Sequence, residues 1–172
     1  NKTIQMLEMP YKNSSISMYL LLPQKLEGLA DHPDTAGAAT VMMDLGAAYE
    51  GHGDTLAAIE LYRVFQERYP KSRMKSTARW KVENLMLAAG EEMLSGGEPE
   101  EARRILGELA ETADNRLVRE KACFLLAEIY ESMADYDMAV RWYTEVINLN
   151  LGSSGRLVEK SKERIVSIES RR

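Results

Sequence analysis

The chain has 172 residues, about one domain, and 45% of them are apolar, so it can bury a core and is not a disordered polymer. Its net charge of −5 argues against nucleic acid as the main partner, because phosphates are bound through positive charge. No apolar run approaches the roughly 20 residues that a membrane helix needs, and a single cysteine excludes an internal disulfide. The chain starts at Asn1 rather than Met and shows no signal peptide, which indicates a processed or excised piece.

The first 23 residues differ in pattern from the remainder of the chain. They predict a strand, a polar turn at Lys12–Ser15 and a second strand, because Pro10 and Pro23 oppose a helix. The stretch MLEMPYKNSSISMYLLLP, residues 6–23, resembles a hairpin of the serpins, the large protease inhibitors. The likeness reflects either chance or a fused serpin segment. It implies no inhibitory function, because a reactive loop and a large central sheet have no room in this chain.

Residues 39–72 carry the first copy of a repeated pattern of small and large residues. The pattern resembles the tetratricopeptide repeat (TPR), a unit of about 34 residues that forms two antiparallel helices. The signature positions 4, 7, 8, 11, 20, 24, 27 and 32 of that family fall on Met42, Leu45, Gly46, Tyr49, Ala58, Tyr62, Phe65 and Pro70. Small residues let the two helices approach closely. Gly53 is expected to end the first helix, and Pro70 the second.

Two further copies fit the same register, at residues 83–116 and 120–153. They place Ala102 and Ala139 at the small position of the second helix, and the third copy has Ala134 in place of the turn glycine. After them, residues 156–170 predict an amphipathic helix that covers the final repeat.

These patterns predict seven helices and no strand after residue 30. The helices are expected at residues 35–51, 55–69, 73–94, 98–113, 116–133, 136–149 and 156–170. The expected fold class is all-α, a TPR-type α-solenoid of about three helix pairs plus a C-terminal capping helix. Residues 1–30 are expected to be a hairpin-like segment, foreign or disordered, and residues 31–172 the helical repeat domain.

No group of residues predicts catalysis, a cofactor or a metal site. His32 and His52 are the only histidines and are expected at the surface. Cys123 occupies an apolar signature position, so it is expected to be a small buried hydrophobe rather than a nucleophile. The chain is therefore predicted to be non-enzymatic.

The TPR resemblance implies a concave groove that is lined by the first helix of each repeat. Position 5 falls on Met43, Leu87 and Phe124, position 9 on Ala47, Glu91 and Glu128, and position 12 on Glu50, Leu94 and Glu131. An apolar floor beside an acidic strip suits a helix or peptide with apolar anchors and some basic residues. Phe124 is the expected central anchor. The alternative is that the apolar residues only pack against a neighbouring helix and that the acids are solvated.

Two functions stay open at this level. The first is a scaffold or adaptor module that binds a protein segment. The second is a self-assembling structural domain of a cell-envelope complex, a homo-oligomer joined through the hairpin edge or the terminal repeat. The stretch FQERYPKSR, residues 65–73, resembles repeat endings in the bacterial cell-envelope subgroup of the TPR family. That resemblance implies a periplasmic location, with a cytoplasmic one as the alternative.

Overall fold

The computed structural model describes residues 4–10, 17–23, 35–151 and 155–171, with side chains from residue 37 onward. Seven helices lie in these residues: α1 (Thr35–Gly51), α2 (Thr55–Arg68), α3 (Lys75–Ser95), α4 (Pro99–Thr112), α5 (Arg116–Ser132), α6 (Tyr136–Asn148) and α7 (Arg156–Glu169). Their ends agree with the predicted ends within two residues, and the described part of the chain after residue 30 contains no strand. The helix prediction is confirmed.

Two strands precede the helices. Strand β1 (Ile4–Pro10) pairs antiparallel with strand β2 (Ser17–Pro23), with Ile4 opposite Pro23. The predicted turn at Lys12–Ser15 lies outside the described residues, and so does His32.

The chain divides into two compact units, Asn1–Arg79 and Trp80–Arg172. Unit 1 contains the helix pair α1–α2, whose two helices pack against each other. Unit 2 contains most of α3 together with α4 to α7. Within unit 2, α5 packs against both α4 and α6, and α7 packs against α6 and also touches α5.

The same turn joins the two helices of each pair. Its central residue has a positive φ in all three cases: Gly53 at 77°, Gly97 at 81° and Ala134 at 59°. The N–H of this residue donates to the carbonyl three residues earlier, at 3.0–3.2 Å, and the next N–H donates to the carbonyl five residues before it, at 2.9–3.0 Å. Asp54 and Asp135 then cap the following helix, each accepting from the N–H three residues on at 3.2 Å. Three helix pairs therefore share one register.

Close approach of the paired helices requires a small residue in the first helix. A Cβ added to Gly46 would lie 2.5 Å from Cε1 of Tyr62, and one added to Gly90 would lie 2.7 Å from Cδ2 of Leu106. Non-bonded carbon atoms do not approach each other this closely. A side chain at position 46 or 90 would therefore push the paired helices apart, and glycine sets their spacing. The small positions of the second helices are fully buried, as predicted: Ala58, Ala102 and Ala139.

Candidate partner-binding face

In unit 1, the predicted groove residues lie along α1. Met43 is buried and Ala47 is exposed. The Glu50 carboxylate accepts a hydrogen bond from the hydroxyl of Tyr62, which is itself fully buried. Burial, reinforced by this bond to a carboxylate, raises the pKa of Tyr62 above its ordinary value. Glu50 is therefore engaged inside its own helix pair.

In unit 2, two contacts show that α3 and α5 lie side by side. The Glu83 carboxylate accepts hydrogen bonds from the backbone N–H groups of Asp114 and Asn115, at 2.9 and 3.2 Å. Further along both helices, Nζ of Lys121 lies 2.6 Å from Oε1 of Glu91. Because residue numbers rise in the same direction on both helices between these contacts, α3 and α5 run parallel.

Each of these helices carries one stripe of residues spaced four and three apart, which places the residues of a stripe on one helix face. We call the surface made by the two stripes the α3–α5 face. Its residues are Trp80, Asn84, Leu87, Glu91 and Leu94 on α3, and Leu117, Lys121, Phe124, Glu128 and Glu131 on α5. The face contains every groove residue that the sequence predicts within unit 2.

Phe124 lies deep in this face. Its side chain is only 6% exposed. The ring meets the Tyr143 ring edge-on, with centroids 5.6 Å apart, and Nζ of Lys160 lies 5.8 Å from the centre of the Phe124 ring. Leu87, the equivalent residue on α3, is also buried. These two side chains form the base of the face, and Glu91, Lys121 and Glu128 form its accessible part.

A basic residue from two helices further along the chain approaches each acid of the strip. Glu91 pairs with Lys121, and both side chains are close to half exposed. The side chain of Glu131 is 8% exposed and accepts two hydrogen bonds from Arg164 of α7, at 2.9 and 2.6 Å. Burial raises the pKa of Glu128, while the nearby charges of Lys160 and Arg164 lower it. The negative charge of the acidic strip is therefore balanced by basic residues that lie about 30 residues later in the chain.

A second contact of Glu131 repeats the arrangement seen in unit 1. The Tyr143 hydroxyl donates to Oε2 of Glu131 at 3.1 Å, as Tyr62 donates to Glu50. Burial is the main cause that raises the pKa of Tyr143. The α3–α4 pair has leucines at both equivalent positions, 94 and 106. A glutamate twelve residues before a buried tyrosine is a signal that could have predicted this role.

Buried glutamates at the first position of the second and third repeats are residues that the sequence interpretation missed. Glu83 is 6% exposed and binds the N–H groups just before α5. Glu120 is also buried, and its Oε1 lies 3.8 Å from where a Cβ on Gly155 would stand, at the residue before α7. Ala39 holds this position in unit 1. The sequence signal that could have predicted these buried glutamates is an acidic residue at the edge of an apolar run.

Cys123 is the single cysteine of the chain and the one candidate thiol nucleophile. Cys123 is fully buried, and burial raises the pKa of its thiol to about 12, so the reactive thiolate is suppressed at neutral pH. No cluster of three His, Cys, Asp or Glu residues suited to a metal ion occurs in the part of the chain that the structure describes. Within that same part, none of the helices has the length and apolar character needed to cross a membrane.

Two models of the tetratricopeptide repeat match the chain, one over residues 40–72 and the other over residues 122–157. The matches support a TPR protein, and three helix pairs in one register followed by a seventh helix are consistent with that fold. TPR repeats generally mediate protein–protein interaction and scaffolding, and such domains are typically non-catalytic. No curated protein matches the chain. Neither model extends into residues 1–30, so the serpin resemblance stays a prediction, as does the cell-envelope one.

Proposed function

We propose that the chain is a non-enzymatic adaptor or scaffold module and that it binds a protein segment on the α3–α5 face of unit 2. The supporting observation is that two parallel first helices are joined by the buried Glu83 carboxylate at one end and still lie side by side at Glu91 and Lys121 further along. A surface held in this way is preorganised, so little ordering is needed when a partner binds. In unit 1, Met43, Ala47 and Glu50 stay proposed contact residues.

The chemistry of the face suggests what the segment carries. Leu87 and Phe124 provide the apolar base, and Leu94 is half-buried beside them. The Glu91–Lys121 pair is exposed, and such a pair contributes only about 0–1 kcal/mol. A partner can therefore replace it at small cost, placing a Lys or Arg against Glu91. We expect a segment with apolar anchors and some basic residues.

Peptide selection tests this proposal directly. The intact chain is immobilised and a random peptide library displayed on phage is selected against it. We expect enriched peptides that lose at least tenfold in affinity for the Asn84→Arg variant, which adds a long cation to the half-buried centre of the face. The control is Glu111→Arg, a similar cation at an exposed position of α4.

The measurement has two informative outcomes. Loss with Asn84→Arg and retention with Glu111→Arg support the face as the binding site. Equal binding by both variants, with both still helical by circular dichroism, places the site elsewhere and contradicts the proposal. The alternative function, self-assembly in a cell-envelope complex, is tested by light scattering. A chain that is monomeric across its working concentrations removes that alternative.

A further inference from the structure

Two large apolar side chains stand exposed at the N-terminal end of the α3–α5 face. Trp80 is 54% exposed and Leu117 is 66% exposed. They occupy equivalent places, since each lies three residues before the buried glutamate of its repeat, Glu83 or Glu120. Single exposed apolar residues are ordinary on protein surfaces. A matched pair on neighbouring helices of one face is a more specific feature.

The backbone beneath the pair is fixed. Glu83 lies one helical turn after Trp80 and binds the N–H groups of Asp114 and Asn115, immediately before α5. Leu117 follows two residues later, where its own N–H donates to the Asn115 side chain at 3.0 Å. Both apolar residues therefore sit on helix ends joined by the same buried carboxylate. The distance between Trp80 and Leu117 is therefore already set in the unbound protein.

The net charge beside this pair is positive, because Lys81 and Arg116 outnumber the exposed acid Asp114. Arg116 precedes Leu117 and is exposed, and no carboxylate of the described residues lies within ion-pair distance of its guanidinium. The nearby Glu83 carboxylate is buried and already bound to backbone N–H groups, so it offers a partner no acceptor. This end of the face thus carries a net positive charge, whereas Glu91 and Lys121 pair one acid with one base.

We propose that Trp80 and Leu117 are the anchor residues for a partner protein segment that presents two large apolar side chains beside an Asp or Glu. The acid pairs with Arg116, while a basic residue further along the segment meets Glu91. This proposal rests on the proposed function, because it specifies the partner of the same face. It also specifies the direction in which the segment lies on the face, because the acidic end of the segment is placed at the start of α5. Aromatic anchors of this kind commonly dominate binding energy.

The test uses the peptides selected on the intact chain. Trp80→Ala and Leu117→Ala remove exposed side chains, so we expect both variants to fold. The matched control is Leu56→Ala, which removes a leucine that is 60% exposed in unit 1. We expect the two anchor variants to bind the peptides at least tenfold more weakly and the control to bind as the parent does. Arg116→Glu should change the enriched motif, replacing its acidic residue with a basic one.

A fluorescence measurement reports on the anchor itself. The chain has two tryptophans, so in a Trp142→Phe background Trp80 is the sole indole emitter. A selected peptide that covers Trp80 should shift its emission to shorter wavelength. The anchor assignment is wrong if the selected peptides bind Asn84→Arg weakly, leave the Trp80 emission unchanged and bind Trp80→Ala as tightly as the parent. In that case the α3–α5 face remains the binding site. A dimer that Trp80→Ala dissociates identifies a second copy as the occupant and overturns the peptide partner.

Discussion

Replacing Glu83 with alanine should destabilise unit 2, because this carboxylate joins α3 to the start of α5. Glu83 is 6% exposed and accepts two backbone hydrogen bonds, at 2.9 and 3.2 Å. Hydrogen bonds to a charged group contribute about 1.5–3 kcal/mol each. Water can rehydrate the freed N–H groups in part, since Asp114 is exposed and Asn115 half-buried. We therefore expect a loss near the lower end for two bonds, about 3 kcal/mol.

The Glu83→Gln variant keeps the shape of the side chain but disturbs the two hydrogen bonds. It therefore shows how much of the stability comes from the hydrogen bonds alone. The amide keeps one acceptor oxygen, but its NH2 group then faces a backbone N–H. We expect this variant to lose about 1–2 kcal/mol, less than alanine loses. The matched control is Glu92→Ala on the same helix, which removes an exposed acid and should change stability by less than about 0.5 kcal/mol.

Two measurements check this expectation. Urea unfolding followed by circular dichroism gives the free energy of unfolding, and amide hydrogen exchange reports the N–H groups of Asp114 and Asn115 directly. Both amides should exchange faster in Glu83→Ala than in the Glu92→Ala control. If Glu83→Ala unfolds at the same urea concentration as Glu92→Ala and leaves these two amides equally protected, the carboxylate does not hold α5 in place.

Three further predictions each concern the substitution of a single residue. Ala134→Gly should raise the free energy of unfolding by about 0.5–1 kcal/mol, because Ala134 has a φ of 59° that glycine adopts without strain; an unchanged urea midpoint would contradict this. Ala139→Leu should cost about 1–3 kcal/mol by overpacking a fully buried helix crossing, and an unaltered melting temperature would show that the crossing is loose. Partial burial raises the pKa of Glu128 in the folded state by more than Lys160 and Arg164 lower it, so its ionised form opposes folding at neutral pH. Glu128→Gln should therefore be more stable than the parent at pH 7, and the gain should shrink as pH falls and vanish below the unfolded value of about 4.3. A gain that persists at pH 3 would assign the effect to packing instead.

The sequence by itself was sufficient to predict the helices and their repeat register. The signals are local: Gly53 and Gly97 take a positive φ, and Gly46 and Gly90 are small where a helix crosses its neighbour. Because a helix hairpin closes within about 34 residues, each of these constraints acts on residues close in the chain. The same reasoning predicted Ala134 at the third turn, where an alanine accepts the conformation that glycine takes in the other two.

The electrostatic character of the candidate face was decided only by the tertiary structure. The sequence predicts Glu91, Glu128 and Glu131 as an acidic strip, yet bases two helices further along the chain approach each of them. Those bases lie 30 or more residues away, and their reach depends on the rotation of one packed helix against another. The burial of Glu83 has the same origin, since its acceptors are filled by N–H groups on the next helix pair. Spacing within one helix fixes which residues share a face, but packing between helices fixes which charges on that face are left for a partner.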